Sequence, residues 1–441
     1  MYKRQLQTIS IGSSANDGTG TTLREAFDIV NDNFAEIYDG TSALPYQIEG
    51  TDFTGSLIVG HSTTGTLSSA TYNTALGIGA MDAITQGDYN VAIGYNAATA
   101  LTTATHNTIV GATAGDALTT GIQNVAVGYQ ALGAEDTGQG AVAVGYQALA
   151  SQNADGSYHN VAVGFQCGTN ISTGGQNTLI GDSAGYNLTT GGNNIAIGFK
   201  ALYTEDGNGN NVAIGREALE VQDAGVDAYN IAIGYRAGHA VSTSIKNVII
   251  GGLAGDALTS GSKNTVVGYE ALSTEDTRGT STAIGHRALR DQNAGSDPYN
   301  VAVGHDAGLL VSTGVQNTLI GGLAGDALTL GGGNVAIGYQ ALSTEDAHGK
   351  NVAIGEEALA SLNAGQQAYN VAVGYEAGKV MSTGIQTTLV GAFAGDALTT
   401  GSNNTAVGYE ALSTEDGNGN NTAIGYQTLK AQNAGADAYN V

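Results

Sequence analysis

A short motif that ends in glycine recurs along most of the 441-residue chain, and NVAIG at 334–338 is one copy of it. Twenty-one such marker glycines run from Gly77 to Gly425. From Gly94 onward they are spaced 17, 17, 17 and 19 residues apart, so the pattern returns every 70 residues. This periodicity indicates a repeat architecture in which each unit stacks on its neighbours. The 68 glycines and the lack of tryptophan favour many small layers over one large core.

The three residues before each marker glycine are apolar or β-branched. The nearest is Ile or Val in 20 of the 21 units, the middle one is usually Ala, and the first is Val, Ile or Thr. Such runs, bounded by Asn and Gly, predict strands. Asn opens 18 of the 21 units, which predicts a ladder of stacked Asn side chains. We therefore predict an all-β fold, a parallel β-solenoid or β-roll shaft of about 21 coils. It would rise about 4.8 Å per coil and extend for roughly 100 Å.

Both faces of these strands are apolar. In NVAIG, Val335 and Ile337 point to one side of the strand, and Ala336 and Gly338 point to the other. The interior of a coil accounts for only one face, and small Ala and Gly suit the close approach of another backbone. We therefore place the β-branched side inside the coil and expect the second face to pack on other chains in a homotrimer. The alternative is a flattened single-chain solenoid whose two walls cover each other. The predicted shaft core comprises Ile93, Val127, Val163, Ile197, Ile233, Val267, Val303, Ile337, Val373 and Val407.

Residues 1–72 do not repeat and contain one clear helix signal, over about 22–38. Thr22 and Glu25 form a capping box, and Gly40 provides a C-terminal stop. The apolar residues of this segment are spaced 4, 3, 4 and 3 apart, which is typical of a helix seam used for attachment or oligomerisation. They are Leu23, Phe27, Val30, Phe34 and Ile37.

The pattern divides the chain into three parts. We assign an N-terminal attachment segment to 1–40, a transition segment rich in Thr, Gly and Ser to 41–72, and the repetitive shaft to 73–441. Asn440 and Val441 open a further coil. Because a solenoid that ends on a bare strand edge invites aggregation, we expect the shaft to continue beyond residue 441 in the gene product.

Charge and hydropathy exclude several classes of partner. The formal charge of −25, from 39 acidic against 14 basic residues, disfavours nucleic acid and anionic membrane surfaces. No apolar run approaches the roughly 18 residues that cross a bilayer, so we predict no membrane insertion. The basic residues near the N-terminus are not followed by an unbroken apolar segment, so they make a poor secretory signal. The single Cys167 stands where other blocks have Ala, which favours a packing role.

A Glu–Asp pair recurs once in each 70-residue block. Paired carboxylates carry out glycoside hydrolysis, but a catalytic site is normally singular, and adjacent residues of an extended chain point apart. We therefore interpret these pairs as solvated acidic turns and predict that the protein is not an enzyme. The pairs are Glu135–Asp136, Glu205–Asp206, Glu275–Asp276, Glu345–Asp346 and Glu415–Asp416.

Two turns carry a weak metal signal. DGNGNN at 206–211 and 416–421 is similar to calcium-binding nonapeptide turns, but Asn211 stands where a ligand Asp is expected, and neighbouring coils lack the motif. The seven His are scattered singly, which does not support zinc. We predict no cofactor, with structural calcium as the alternative.

Two stretches carry resemblances to known families. ISIGSSANDGTGTTLREAFDIVNDNFAEIY, at 9–38, resembles the N-terminal segment of many tailed-phage fibre and virion structural proteins, with Thr21 where Asp is common. The N-x-A-I-G-x-x-A units over 73–441 resemble the head repeats of trimeric autotransporter adhesins. Those heads form left-handed parallel β-rolls around a threefold axis and use shorter coils.

The resemblances imply a structural and adhesive protein, a homotrimeric phage tail fibre or other virion appendage. Its N-terminus would dock on virion or tail proteins, and its shaft would project toward a glycan or protein receptor on the host surface. The implied location is the virion. The alternative is a bacterial surface adhesin of the trimeric autotransporter type, located at the cell surface, and a third reading is a polysaccharide-degrading tailspike.

Overall fold

A computed structural model of the chain describes residues 46–48, 56–59, 68–433, 435, 437 and 439–441. Within them it has 23 strands of three residues each and no helix. The predicted helix over 22–38, with Leu23, Phe27, Val30, Phe34 and Ile37, lies outside the described residues. The strands are β1 (Tyr46–Ile48), β2 (Leu57–Val59), β3 (Thr74–Leu76), β4 (Val91–Ile93), β5 (Thr108–Val110), β6 (Val125–Val127), β7 (Val142–Val144), β8 (Val161–Val163), β9 (Thr178–Ile180), β10 (Ile195–Ile197), β11 (Val212–Ile214), β12 (Ile231–Ile233), β13 (Val248–Ile250), β14 (Thr265–Val267), β15 (Thr282–Ile284), β16 (Val301–Val303), β17 (Thr318–Ile320), β18 (Val335–Ile337), β19 (Val352–Ile354), β20 (Val371–Val373), β21 (Thr388–Val390), β22 (Thr405–Val407) and β23 (Thr422–Ile424).

The described residues fall into two compact units, one up to residue 158 and the other from residue 159 onward. In the first, β1 pairs antiparallel with β2, and β2 to β7 pair in parallel in chain order. In the second, β8 to β23 also pair in parallel in chain order, and equivalent residues of successive coils lie side by side, as Ala336 does with Ala353. The predicted all-β parallel β-solenoid is therefore confirmed. Because β2 falls within 41–72, the parallel stacking begins before residue 73.

The middle residue of each strand from β2 to β23 faces the interior of its coil. Ala336 is fully buried, whereas Val335 and Ile337 on either side of it are half-buried. The interior of this coil also holds Ala341 and Leu342, both 0% exposed, so it suits a small middle residue. The prediction that the β-branched side fills the coil is therefore wrong. The residues predicted as shaft core lie on the outer side, half-buried or exposed: Ile93, Val127, Val163, Ile197, Ile233, Val267, Val303, Ile337, Val373 and Val407.

Side-chain volume inside a coil is shared between the strand and the turn after it. Where the strand carries Ala336, the residue six positions later is the buried Leu342. Where the strand carries Leu319, the equivalent residue is Gly325, and a Cβ atom there would lie 2.8 Å from a terminal methyl of Leu319. Close packing therefore leaves no room for a side chain at Gly325 beside Leu319, whereas the smaller Val266 is accommodated together with Leu272 at the same two positions of another coil. The same pairing of a large middle residue with a later glycine occurs at Ile109 and Gly115, Leu179 and Gly185, Ile249 and Gly255, and Leu389 and Gly395.

A ladder of buried Asn side chains connects successive coils, as the sequence predicts. The backbone N–H of Asn90 donates to Oδ1 of Asn73 at 2.9 Å, and Nδ2 of Asn73 donates to the carbonyl of Gly87 at 2.7 Å. Each amide thus satisfies one backbone donor of the next coil and one turn carbonyl, groups that would be costly to bury unpaired. Ser281 interrupts the ladder, yet its N–H still donates to Oδ1 of Asn264 at 2.9 Å.

The marker glycines are required by backbone geometry. Gly338 has a φ of 137°, a conformation that side chains with Cβ rarely adopt. A Cβ atom at this position would also lie 2.4 Å from the carbonyl oxygen of Gly355 in the next coil. Glycine is therefore needed both for the bend after the strand and for the spacing between coils.

Candidate interaction face of the sheet

The first and third residues of strands β2 to β23, with the residue after each marker glycine, point away from the coil interior. We call this set of positions the strand face. Val371, Val373 and Tyr375 are its members in one coil. Because the coils stack in register, each member has an equivalent residue directly beside it in the next coil. The strand face therefore consists of rows of like side chains that run along the stacking direction of each unit.

Aliphatic side chains on the strand face remain partly open to solvent. The exposed fraction is 40% for Ile180, 38% for Ile320 and 37% for Val390. None of the strands β2 to β23 contains a charged residue, although the chain carries a formal charge of −25. Contiguous apolar surface that excludes charge marks interaction sites on protein surfaces. The strand face is thus the main candidate for an interaction surface among the described residues.

Aromatic residues stack along one edge of the strand face. The rings of Tyr129 and Tyr146 are parallel with centroids 5.3 Å apart, and those of Tyr409 and Tyr426 are parallel at 5.6 Å. Tyr409 is still 42% exposed, so stacking covers only part of each ring. Exposed tyrosines combine apolar area with a polar hydroxyl and are enriched at protein interfaces. The aromatic edge therefore extends the candidate surface beyond the strands.

The glutamates of the recurrent acidic pairs lie inside the coils, so the prediction that both members are solvated is wrong for them. Glu135, Glu205, Glu275, Glu345 and Glu415 are each 0% exposed. In Glu135, Oε1 accepts the backbone N–H of Gly138 at 2.6 Å, and Oε2 accepts Nε2 of Gln152 at 2.9 Å. The aspartates that follow them are half-buried or exposed. The glutamates therefore close their own turns with hydrogen bonds.

Ionisable side chains interrupt the aromatic edge of the strand face at Asp182, Arg216 and Glu356, and at one larger group. His286 and His305 occupy the aromatic edge in adjacent coils, with parallel rings 4.9 Å apart. Both Nδ1 atoms lie 3.5 Å from the carboxylate of the buried Asp306. Nε of Arg287 donates to Oδ1 of that carboxylate at 2.9 Å. Because a guanidinium already neutralises Asp306, this group is better described as a salt-bridge network than as a metal site.

Cys167 is fully buried, and burial raises the pKa of its thiol to about 12. The thiol is therefore protonated at neutral pH and unreactive. Its predicted role as a packing residue is confirmed by this burial.

The fold and the strand face together define a parallel β-solenoid whose strands β2 to β23 carry no charged residue and present aliphatic side chains outward, beside a largely aromatic edge. No family model, curated protein or solved structure matches the chain. Over the described residues, no helix has the length and apolar character needed to cross a membrane.

The strand face is not evident from hydropathy, because a strand that is apolar on both sides does not reveal which side is interior. The signal that identifies it is a pairing found in five of the coils. A large middle residue, such as Leu319, occurs together with a glycine six positions later, so the middle residue must share the interior with the turn. The β-branched residues on either side must then point outward.

Proposed function

We propose that the protein is a structural fibre protein whose chains associate in parallel as a homotrimer through their strand faces. The supporting observation is the row of partly exposed Val and Ile residues without charge on β2 to β23. Covering these rows with the equivalent rows of two further chains would remove apolar area from water, at about 25 cal/mol per Å². A closed cyclic assembly leaves no copy of the surface open.

In this proposal the fibre belongs to a virion, as a tail fibre or another external appendage. The N-terminal segment at 1–40 docks on virion or tail proteins, and the repeats act as a spacer that projects toward a host-surface glycan or protein. The support is the resemblance of residues 9–38 to the N-terminal segments of phage fibre proteins. The strong negative charge adds to it, because it disfavours binding to nucleic acid.

We also propose that the recurrent Glu–Asp pairs have no catalytic role. Glycoside hydrolysis needs two carboxyl groups that reach the same substrate bond. The five glutamates of the pairs are 0% exposed, so they do not present such a group to a glycan.

The trimer is tested by the mass of the purified chain in solution. Light scattering coupled to size exclusion should give three times the chain mass of 44.2 kDa. Ile337→Cys places a thiol on the strand face, and a short bifunctional thiol reagent should link it to other chains. Gln366→Cys, in an exposed turn, is the matched control and should not crosslink. A monodisperse monomer, or equal crosslinking at both positions, contradicts the proposal.

A further inference from the structure

Three carboxylates converge at a turn in the second unit. Glu205, Asp206 and Asp223 each offer one oxygen, and these oxygens all lie within 4.8 Å of one another. Glu205 is 0% exposed, and the two aspartates are exposed. The group therefore combines one buried carboxylate with two solvent-exposed ones, so an ion can enter from the solvent side.

Glu205 has an unpartnered oxygen at this turn. Its Oε1 accepts the backbone N–H of Asn208 at 3.1 Å, but its buried Oε2 has no hydrogen-bond partner. In the equivalent coil, Oε2 of Glu275 accepts Nε2 of Gln292 at 3.1 Å, whereas Nε2 of the corresponding Gln222 makes no such bond and is itself buried without a partner. A buried carboxylate oxygen without a donor costs free energy unless another group satisfies it.

No cation among the described residues neutralises the group. None of Glu205, Asp206 and Asp223 forms an ion pair in the part of the chain that the structure describes. Burial raises the pKa of Glu205, and the charges of Asp223 and Asp206 raise it further. The three negative groups therefore repel one another, and a bound cation would relieve that repulsion.

We infer that Glu205, Asp206 and Asp223 form a calcium-binding site. Two oxygens that bind one Ca²⁺ at 2.3–2.6 Å lie at most about 5 Å apart, which fits the separation of these carboxylates. Mg²⁺ demands near-ideal octahedral geometry and usually keeps several of its waters, so it matches a group of three protein carboxylates less well. Zinc prefers nitrogen and sulfur ligands, and the site offers only oxygen.

The sequence contains a matched control for this site. EDGNGNN occurs identically at 205–211 and at 415–421. Oε2 of Glu415 is also buried without a partner. The two turns differ in the next coil, where the first has Asp223 and the second has Asn433. The third carboxylate therefore distinguishes the calcium site from an otherwise equivalent turn.

Isothermal titration calorimetry tests the site, with calcium chloride titrated into the full chain at physiological ionic strength. We expect one saturable site per chain. Asp223→Asn should weaken binding at least tenfold, and because the other blocks carry Asn at this position, the variant should fold. Glu205→Gln should have a similar effect, since it removes the buried ligand. Asn433→Asp should add a second site.

Each outcome of the titration has a clear meaning. Circular dichroism in calcium-free buffer must give the same spectrum for the wild type and the variants, which separates loss of a ligand from loss of fold. The absence of saturable binding to the wild type overturns the inference. Equal affinity in the wild type and in Asp223→Asn also overturns it, because calcium would then bind through the general negative charge of the chain.

Discussion

At the scale of single residues, buried glutamates set how the stability of a coil depends on pH. Oε1 of Glu275 accepts the backbone N–H of Arg278 at 3.1 Å, and Oε2 accepts Nε2 of Gln292 at 3.1 Å. Burial nevertheless raises the pKa of this carboxyl, and it does the same for Glu135 and Glu345. The folded chain therefore holds these protons more tightly than the unfolded chain does.

The sign of the pH dependence follows from linkage. A carboxyl whose pKa is raised by folding contributes stability that is fully present below the unfolded value of about 4.3. That contribution is lost as the pH rises through the higher pKa of the folded state. We expect the free energy of unfolding to fall between pH 4 and pH 7, and Glu275→Gln to make that fall smaller. Denaturant unfolding at a series of pH values measures the free energy of unfolding of the wild type and of the variant.

The control for this prediction is Asp297→Asn, which removes an acidic side chain in an exposed turn. It lowers the net negative charge by the same amount as Glu275→Gln but leaves the buried carboxyl in place. We expect it to keep the wild-type pH dependence. If the two variants change the slope equally, overall charge and not burial is responsible.

At the scale of the coil, the interior volume is divided between the middle residue of the strand and the residue six positions later. Ala336→Leu should overpack the β18 coil, which typically costs about 1–3 kcal/mol. Leu342→Gly should leave a cavity and cost about 2–5 kcal/mol. The double variant reproduces the arrangement of Leu319 and Gly325 in the preceding coil, so we expect it to lose less stability than the two single changes added together.

Denaturant midpoints of the wild type, both single variants and the double variant provide the comparison. The matched control combines Ala336→Leu with Ser343→Gly, which changes a turn residue outside the interior. In this control combination the stability lost through Ala336→Leu should not be recovered. Additive losses in the Leu342→Gly combination would mean that the two positions do not share one space.

The strands and their stacking were predictable from the sequence because they depend on local signals. A β-branched triplet between Asn and Gly predicts a strand, and its fixed period predicts stacking in register. The prediction of which side of the strand points into the coil was wrong. Val335, Ala336 and Ile337 are all apolar, so hydropathy alone does not distinguish the two sides. Which side points inward is decided by packing between the strand and the rest of its coil, and these tertiary contacts are not visible in the local sequence pattern.

The candidate calcium site was only partly predictable. DGNGNN at 206–211 drew attention to the right turn, but it also occurs at 416–421. The ligands Glu205 and Asp223 lie 18 residues apart, and only the fold shows that they meet. Glu205 also faces inward while Asp206 faces solvent, which an acidic pair in a polar turn does not reveal.

At the scale of the whole molecule, the 70-residue period makes the repeats removable in complete blocks. Gly234 and Gly304 have the same role and similar φ values of 139° and 146°. Deleting 235–304 therefore joins β12 to the turn that leads to β17, with the strands still in register. The deletion removes β13 to β16, and at about 4.8 Å per strand the fibre should shorten by about 19 Å.

Electron microscopy of the purified wild type and of the 235–304 deletion measures the change in length. Because we propose that residues 1–40 attach the fibre, the shortened protein should still assemble on its particle at wild-type occupancy. The matched control is a deletion of 235–303, which removes one residue fewer. It shifts the register of β17 by one residue and turns its outward side chains inward, so this variant should misfold. An in-register deletion that folds but no longer attaches would place the docking function in the repeats and contradict our assignment to the N-terminal segment.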